Sequence, residues 1–213
     1  MKSKHLNPKK YAKAKFDSHQ AILVPYPPLS GIYLCYAQIL MAARLPSFFD
    51  TKTELVYPTT VTSNQLLVLD NFLLLFASRT QNLPISARYV VQTAIDLPLR
   101  EYQLSNALFK LITELTIDIK RLHPNNLLHA FNTSLSKHAI YDLNALHSEK
   151  PRCELSLDFL AKLIGCSRNQ LLYQQKQIND AYSIKVQKLK QKCVALQHPE
   201  PSPDLFWRAS HGN

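Results

Sequence analysis

Several side-chain sets in this sequence have types and spacings that could do chemistry. Glu114 and Asp118 stand four residues apart, the arrangement of a carboxylate pair for general acid/base work, although on a helix such a pair is ordinarily a solvated face. His129, His138 and His147 recur every nine residues, which puts successive imidazoles on opposite sides of a helix and prevents them from sharing a metal ion. Cys35, Cys153, Cys166 and Cys193 are widely spaced with no CxxC pair, so reduced, buried thiols are expected rather than a zinc site. No P-loop, HExxH or GxSxG motif occurs. No catalytic residue, metal ion or cofactor is therefore expected, and an enzyme is not. A different chemistry is offered by Ser167-Arg168-Asn169-Gln170, with Tyr173 one turn further on. A guanidinium presents two parallel donors, and a carboxamide presents a donor beside an acceptor. Both match the hydrogen-bonding edges of nucleic-acid bases.

These residues need two helices and a short turn to hold them. In "ELSLDFLAKLIGCSRNQLLYQQKQINDAY", Ser156 can cap a helix whose first turn carries Asp158, and Leu157, Leu160, Ala161 and Ile164 form its apolar face. Gly165 follows where a left-handed C-terminal residue is wanted. Ser167 to Gln170 has the Ser-x-x-Gln form of a capping box, so a second helix starts within three residues of the first one's end. So short a turn makes the helices cross steeply and leaves the start of the second projecting into solvent. Ala161 is small where the second helix passes, and Cys166 and Leu171 fill the angle between the two.

From Leu157 to Ile178 the sequence resembles the helix-turn-helix superfamily of DNA-binding proteins. "GCSRNQLL" is most similar to the catabolite-activator family, and partition proteins are a second similarity. The resemblance implies that the first helix braces the DNA backbone while the second enters the major groove. It would place Ser167 on phosphate, Arg168, Asn169 and Tyr173 on bases, Gln170 at the groove edge, and Lys162 and Lys176 on further phosphates. One position departs from the pattern. Gln174 stands where an apolar residue is usual, so the second helix is expected to be rotated, or packed through Leu172 instead. No glycine-rich nucleotide-binding barrel accompanies the motif, and no cyclic nucleotide is inferred.

Charge supports the same reading. The formal net charge is +10, and residues 21–149 carry nine charges of each sign. The excess therefore lies at the two ends. Lys2, Lys4, Lys9, Lys10, Lys13 and Lys15 make residues 1–20 a flexible basic arm, and Lys185 and Lys188, with Lys190 and Lys192, follow the motif. All could contact phosphate, or could equally be a solubilising surface.

With three glycines in 213 residues, tight hairpins are disfavoured, and the expected fold is mainly α: a helical bundle with a C-terminal helix-turn-helix region. Its neutral domain, 21–149, is expected to hold helices over Ser30 to Leu45 halted by Pro46, over "NQLLVLDNFLLLFASR" capped by Ser63, over "ISARYVVQTAI" opened by Pro84, and over "REYQLSNALFKLITELTIDIKRLH", where Leu104, Leu108, Leu111, Leu115, Ile119 and Leu122 recur on one face. "TKTELVYPTTVT" reads as an extended connection or a short strand, and one or two short helices precede a boundary at "HSEKPRC". Residues 150–198 would form the helix-turn-helix and a basic helix, and 199–213 an extended tail with Leu205, Phe206 and Trp207 as an apolar hook. The uncharged stretch after Gln20 is broken by prolines and is too short for a membrane span, and no secretory signal is visible.

The sequence thus points to a cytoplasmic protein that binds double-stranded DNA sequence-specifically. It would act as a transcriptional regulator or a replication or partition-site binder, as a homodimer or in a larger nucleoprotein assembly, without a membrane. Two alternatives are a structural subunit of a nucleoprotein complex, RNA-guided or not, that grips backbone only, and a helical interaction adaptor.

Overall fold

In the computed structural model, the described residues are 14–15, 22–45, 50–56, 65–79, 85–147 and 150–197. In chain order they form β1 (Ala14–Lys15), β2 (Ile22–Pro25), α1 (Ser30–Ala42), β3 (Lys52–Val56), β4 (Gln65–Val68), α2 (Phe72–Ser78), β5 (Ser86–Val90), α3 (Leu97–Glu114), α4 (Pro124–Ser134), α5 (Lys137–Ala145), α6 (Leu157–Ile164) and α7 (Arg168–Gln197). They divide into two compact units between Gln174 and Gln175, inside α7 and beyond the expected boundary at "HSEKPRC". No described helix is long and apolar enough to cross a membrane.

Helices dominate, but the neutral region is not a pure bundle, because it also contains a mixed sheet of order β1-β5-β3-β4-β2. β3 runs parallel to β5, with Lys52 opposite Ser86 and Val56 opposite Val90. β2 runs parallel to β4, and β3 meets β4 antiparallel at Leu55 and Val68. One of the expected helices is a strand here, and another is part strand and part helix. "NQLLVLDNFLLLFASR" is strand β4, a break, and helix α2; Ser63 lies outside the described residues. The break is Asp70-Asn71. Asn71 adopts the left-handed conformation (φ 45°), and its side chain accepts a hydrogen bond from the Leu74 amide, capping α2. Within "ISARYVVQTAI", Ser86–Val90 is strand β5, paired along its length with β3; Pro84 is also outside the described residues.

Other boundaries shift for similar reasons. α1 ends at Ala42 because Ala43 turns extended and bridges to Ile117; Pro46 is not among the described residues. That bridge also ends α3 at Glu114, so Leu115, Ile119 and Leu122 do not continue its buried face; Ile119 instead begins a separate 3-10 turn, Ile119–Arg121. Of the expected basic arm, Ala14 and Lys15 pair with β5, while Lys2, Lys4, Lys9, Lys10 and Lys13 lie outside the described residues. So does the apolar hook. The cysteines are all free, but only Cys35 is buried; Cys153 and Cys193 are exposed.

One core serves both sheet and helices. α1 buries Ile32, Tyr33, Cys35, Tyr36, Ile39, Leu40 and Ala42, and Phe72 of α2 packs edge-on against both Tyr33 and Tyr36. The buried Tyr36 hydroxyl donates to the Leu104 carbonyl, tying α1 to α3. At Gly31 a Cβ would come within 2.7 Å of Ser134 Oγ, so this residue permits the close approach of α1 and α4. At the sheet, Asp70 Oδ1 accepts from Thr53 Oγ1 at 2.8 Å and from the Glu54 amide at 2.7 Å. The Asn71 amide group donates to the Asp50 and Lys52 carbonyls. Glu54 forms ion pairs with Arg88 and Arg100, joining β3 to β5 and α3.

Burial raises the Asp70 pKa above the usual carboxylate range, against the lowering effect of its two hydrogen bonds. A carboxyl with a raised native pKa favours the fold when protonated, and this contribution is lost as the pH rises through the native value. Asp70→Asn keeps an Oδ1 acceptor and removes the charge. The melting temperature of the variant relative to wild type should therefore become more favourable from about pH 4 to about pH 7. An unchanged difference would show that the native pKa is not raised, and a reversed one that the ionised carboxylate is itself stabilising.

Candidate nucleic-acid interface

The segment leading into α6 is held by two side chains from the helices beneath it. Asn132 of α4 donates to the Leu155 carbonyl at 3.0 Å and accepts from the Leu155 amide at 2.7 Å, as a neighbouring strand would. Asn144 of α5, buried, donates to the Arg152 and Glu154 carbonyls. Ser156 then caps α6 by accepting from the Phe159 amide, and Leu160 and Ala161 are buried where the helix packs against α3 and α4. The expected polar seam is thus pinned to the same compact unit as α6.

The turn after α6 is closed from both sides. Gly165 has φ +79° and ψ 33°, the left-handed region that costs an L side chain energy. The Cys166 amide donates to the Ala161 carbonyl at 2.9 Å and the Gly165 amide to the Lys162 carbonyl at 3.1 Å, the paired bonds of a Schellman motif. The next residue begins the capping box: the Gln170 amide donates to Ser167 Oγ at 3.2 Å, and the Ser167 amide donates to Gln170 Oε1 at 2.8 Å. α7 starts at Arg168, so three residues separate the helices.

Leu171 is fully buried, and Gln174, the departure from the family pattern, is buried with it at 8% exposure. Its Nε2 donates to the Lys120 carbonyl at 2.8 Å and to that of Leu122 at 3.4 Å. The helix is therefore not packed through Leu172, which is 44% exposed; Gln174 occupies the apolar position and serves a carbonyl-rich turn there.

The opposite side of the junction presents Lys162, Ser167, Arg168, Asn169, Gln170 and Tyr173, all exposed and all in the first unit. Two of them are partly committed. Ser167 Oγ and Gln170 Oε1 accept the cap bonds, leaving the hydroxyl proton and the Nε2 group as their donors. Arg168 Nε lies 3.6 Å from Asp158 Oδ1, a pairing between the helices that sequence reasoning missed, having assigned Asp158 only to the helix dipole. Lys176, Lys185 and Lys188 are exposed in the second unit. Its described helical residues also expose Tyr182, Ile184, Leu189 and Val194.

The other sets of titratable residues separate. Glu114 ends α3 and lies 3.9 Å from Lys110, whereas Asp118 caps the following turn and pairs with Arg121. His129 is on α4, His138 on α5, and His147 beyond it against the Phe159 ring. Comparison with family models, with curated proteins and with solved structures gives no significant match.

Gly165→Ala should cost about 1–2 kcal/mol in urea unfolding, although open space surrounds the position, because the strain is in the backbone. Gly165→Asn should lose less, and equal losses would place the cost elsewhere. Gln174→Ala, which orphans buried carbonyls, should destabilise by about 1–3 kcal/mol. Gln174→Leu refills the volume without a donor. If it matches wild type in the same urea titration, the hydrogen bonds contribute nothing.

Proposed function

We propose that the protein is a cytoplasmic, sequence-specific DNA-binding protein in which α6, the turn and the start of α7 act as a helix-turn-helix. The observation that carries this reading is the three-residue turn, fixed by a Schellman motif on one side and a capping box on the other. Beside it Arg168, Asn169 and Tyr173 are exposed at the start of a helix. Arg168 exchanges Asp158 for guanine O6 and N7, Asn169 takes a paired contact with adenine, and Tyr173 meets a base edge or methyl group. Ser167, with its remaining proton, and Lys162 hold phosphates, and Gln170 Nε2 lies at the groove edge. Lys176, Lys185 and Lys188 add salt-dependent backbone affinity. A single motif reads few base pairs, so function in regulating transcription, or at a replication or partition site, calls for a homodimer on paired half-sites.

A second reading, a subunit that grips backbone without reading bases, is favoured by the lysine-rich, almost entirely exposed helix of the second unit. Selection of bound sequences from a random duplex pool separates the two. Enrichment of a defined site, with Arg168→Ala losing about 1–3 kcal/mol there and relaxing one position of it, is expected. Uniform binding that Arg168→Ala leaves unchanged and Lys185→Ala/Lys188→Ala weakens would favour the second reading. Absence of salt-dependent binding would overturn both.

A further inference from the structure

The segment before α6 walls a cleft of about 520 Å³ between the end of α5 and α6 itself. Three basic side chains line it: Lys150, which already has an interaction partner, Arg152 and Lys162. Two carboxylates, Glu154 and Asp158, share the lining, and Asp158 has Arg168 at 3.6 Å. Glu149 lies outside the described residues. His147 and Phe159 form one wall, their rings edge-on at 5.4 Å.

The cleft is built rather than incidental. Arg152 and Glu154 are exposed, yet the backbone carrying them is fixed by a buried asparagine, Asn144, and by the reciprocal bonds between Asn132 and Leu155. Long-range hydrogen bonds from two helices hold an exposed, charged segment in one conformation. Pre-organisation of that kind lowers the ordering cost of binding a charged group.

We propose that this cleft is a phosphate seat, in which Arg152 and Lys150 from the segment and Lys162 from α6 close around one phosphate group. As a seat for nucleic-acid backbone it rests on the DNA-binding reading above, and it adds two cations that lie outside the turn and α7. The guanidinium of Arg152 supplies two parallel donors to phosphate oxygens and the two ammonium groups act as point charges. Glu154 opposes the bound charge, so its neutralisation should strengthen binding.

The test uses the full chain and the double variant Lys150→Ala/Arg152→Ala, with circular dichroism melting to confirm that exposed replacements leave the fold intact. For a backbone phosphate, the variant should bind a duplex more weakly, and its plot of log affinity against log salt should be flatter by about 1. Glu154→Gln should shift affinity in the opposite direction. For a free phosphorylated ligand, duplex binding is unchanged, but inorganic pyrophosphate raises the melting temperature of wild type and not of the double variant. If neither arm separates the variant from wild type, the seat does not exist. If wild type binds no duplex, the DNA reading fails, while the pyrophosphate arm still decides the cleft.

Discussion

The fold is organised by the need to surround α1. From Ser30 to Ala42 the helix carries no charge, and seven of its thirteen residues are buried, Leu34 and Met41 being its exposed apolar side chains. A helix this apolar must be covered on several sides. α2, carried by the sheet, supplies Phe72 to one side; α3 and α4 supply the rest, α4 approaching so closely that position 31 has no room for a side chain. Burial also makes the polar contacts there strict. Tyr36 can enter the core only with its hydroxyl on the Leu104 carbonyl, and that bond fixes α3 against α1. The thiol of Cys35 has its pKa pushed up to about 12 by the same burial, which keeps it protonated and inert.

From this core a relay of side-chain to backbone bonds carries position outward. Ser105 of α3 accepts from the Ser136 amide and seats the start of α5. α4 and α5 then spend Asn132 and Asn144 on the backbone before α6, and Gln174 secures the first turns of α7 to the Lys120 and Leu122 carbonyls. Each link satisfies buried polar groups that would otherwise oppose folding, so the price of the relay is small. Its consequence is that a surface junction inherits the rigidity of the interior.

What could be read in the sequence was local. Gly165, the Ser156 cap and the reciprocal Ser167–Gln170 box depend on residues within a few positions of one another, and all appear where the spacing requires. The sheet was not, since β5 pairs with β3 more than thirty residues away and its "SARYV" carries no turn signal of its own. "QLLVLDNFLLLF" suits a buried strand and a buried helix alike, and only the left-handed Asn71, gripping the carbonyls before and within β3, decides where one becomes the other. Gln174 was visible as an exception but not as a solution, because its partners lie more than fifty residues earlier.

The capping box limits how the exposed face can work. A serine and a glutamine whose oxygens already accept the bonds that close the turn are held in place, and the donors they keep, a hydroxyl proton and an Nε2 group, suit phosphate oxygens better than they discriminate among bases. Discrimination on this surface would therefore fall to Arg168, Asn169 and Tyr173. Of these, Arg168 begins in contact with Asp158, an exposed pair separated by 3.6 Å that costs little to break in water. A guanidinium already paired with a neighbouring carboxylate loses less side-chain freedom when a new acceptor replaces the old one. Asp158 then has a double effect. If this face meets nucleic acid, that carboxylate would pre-orient the arginine and repel any phosphate that approaches without offering the arginine a better partner, so weak non-specific contact would be penalised more than a fitted one.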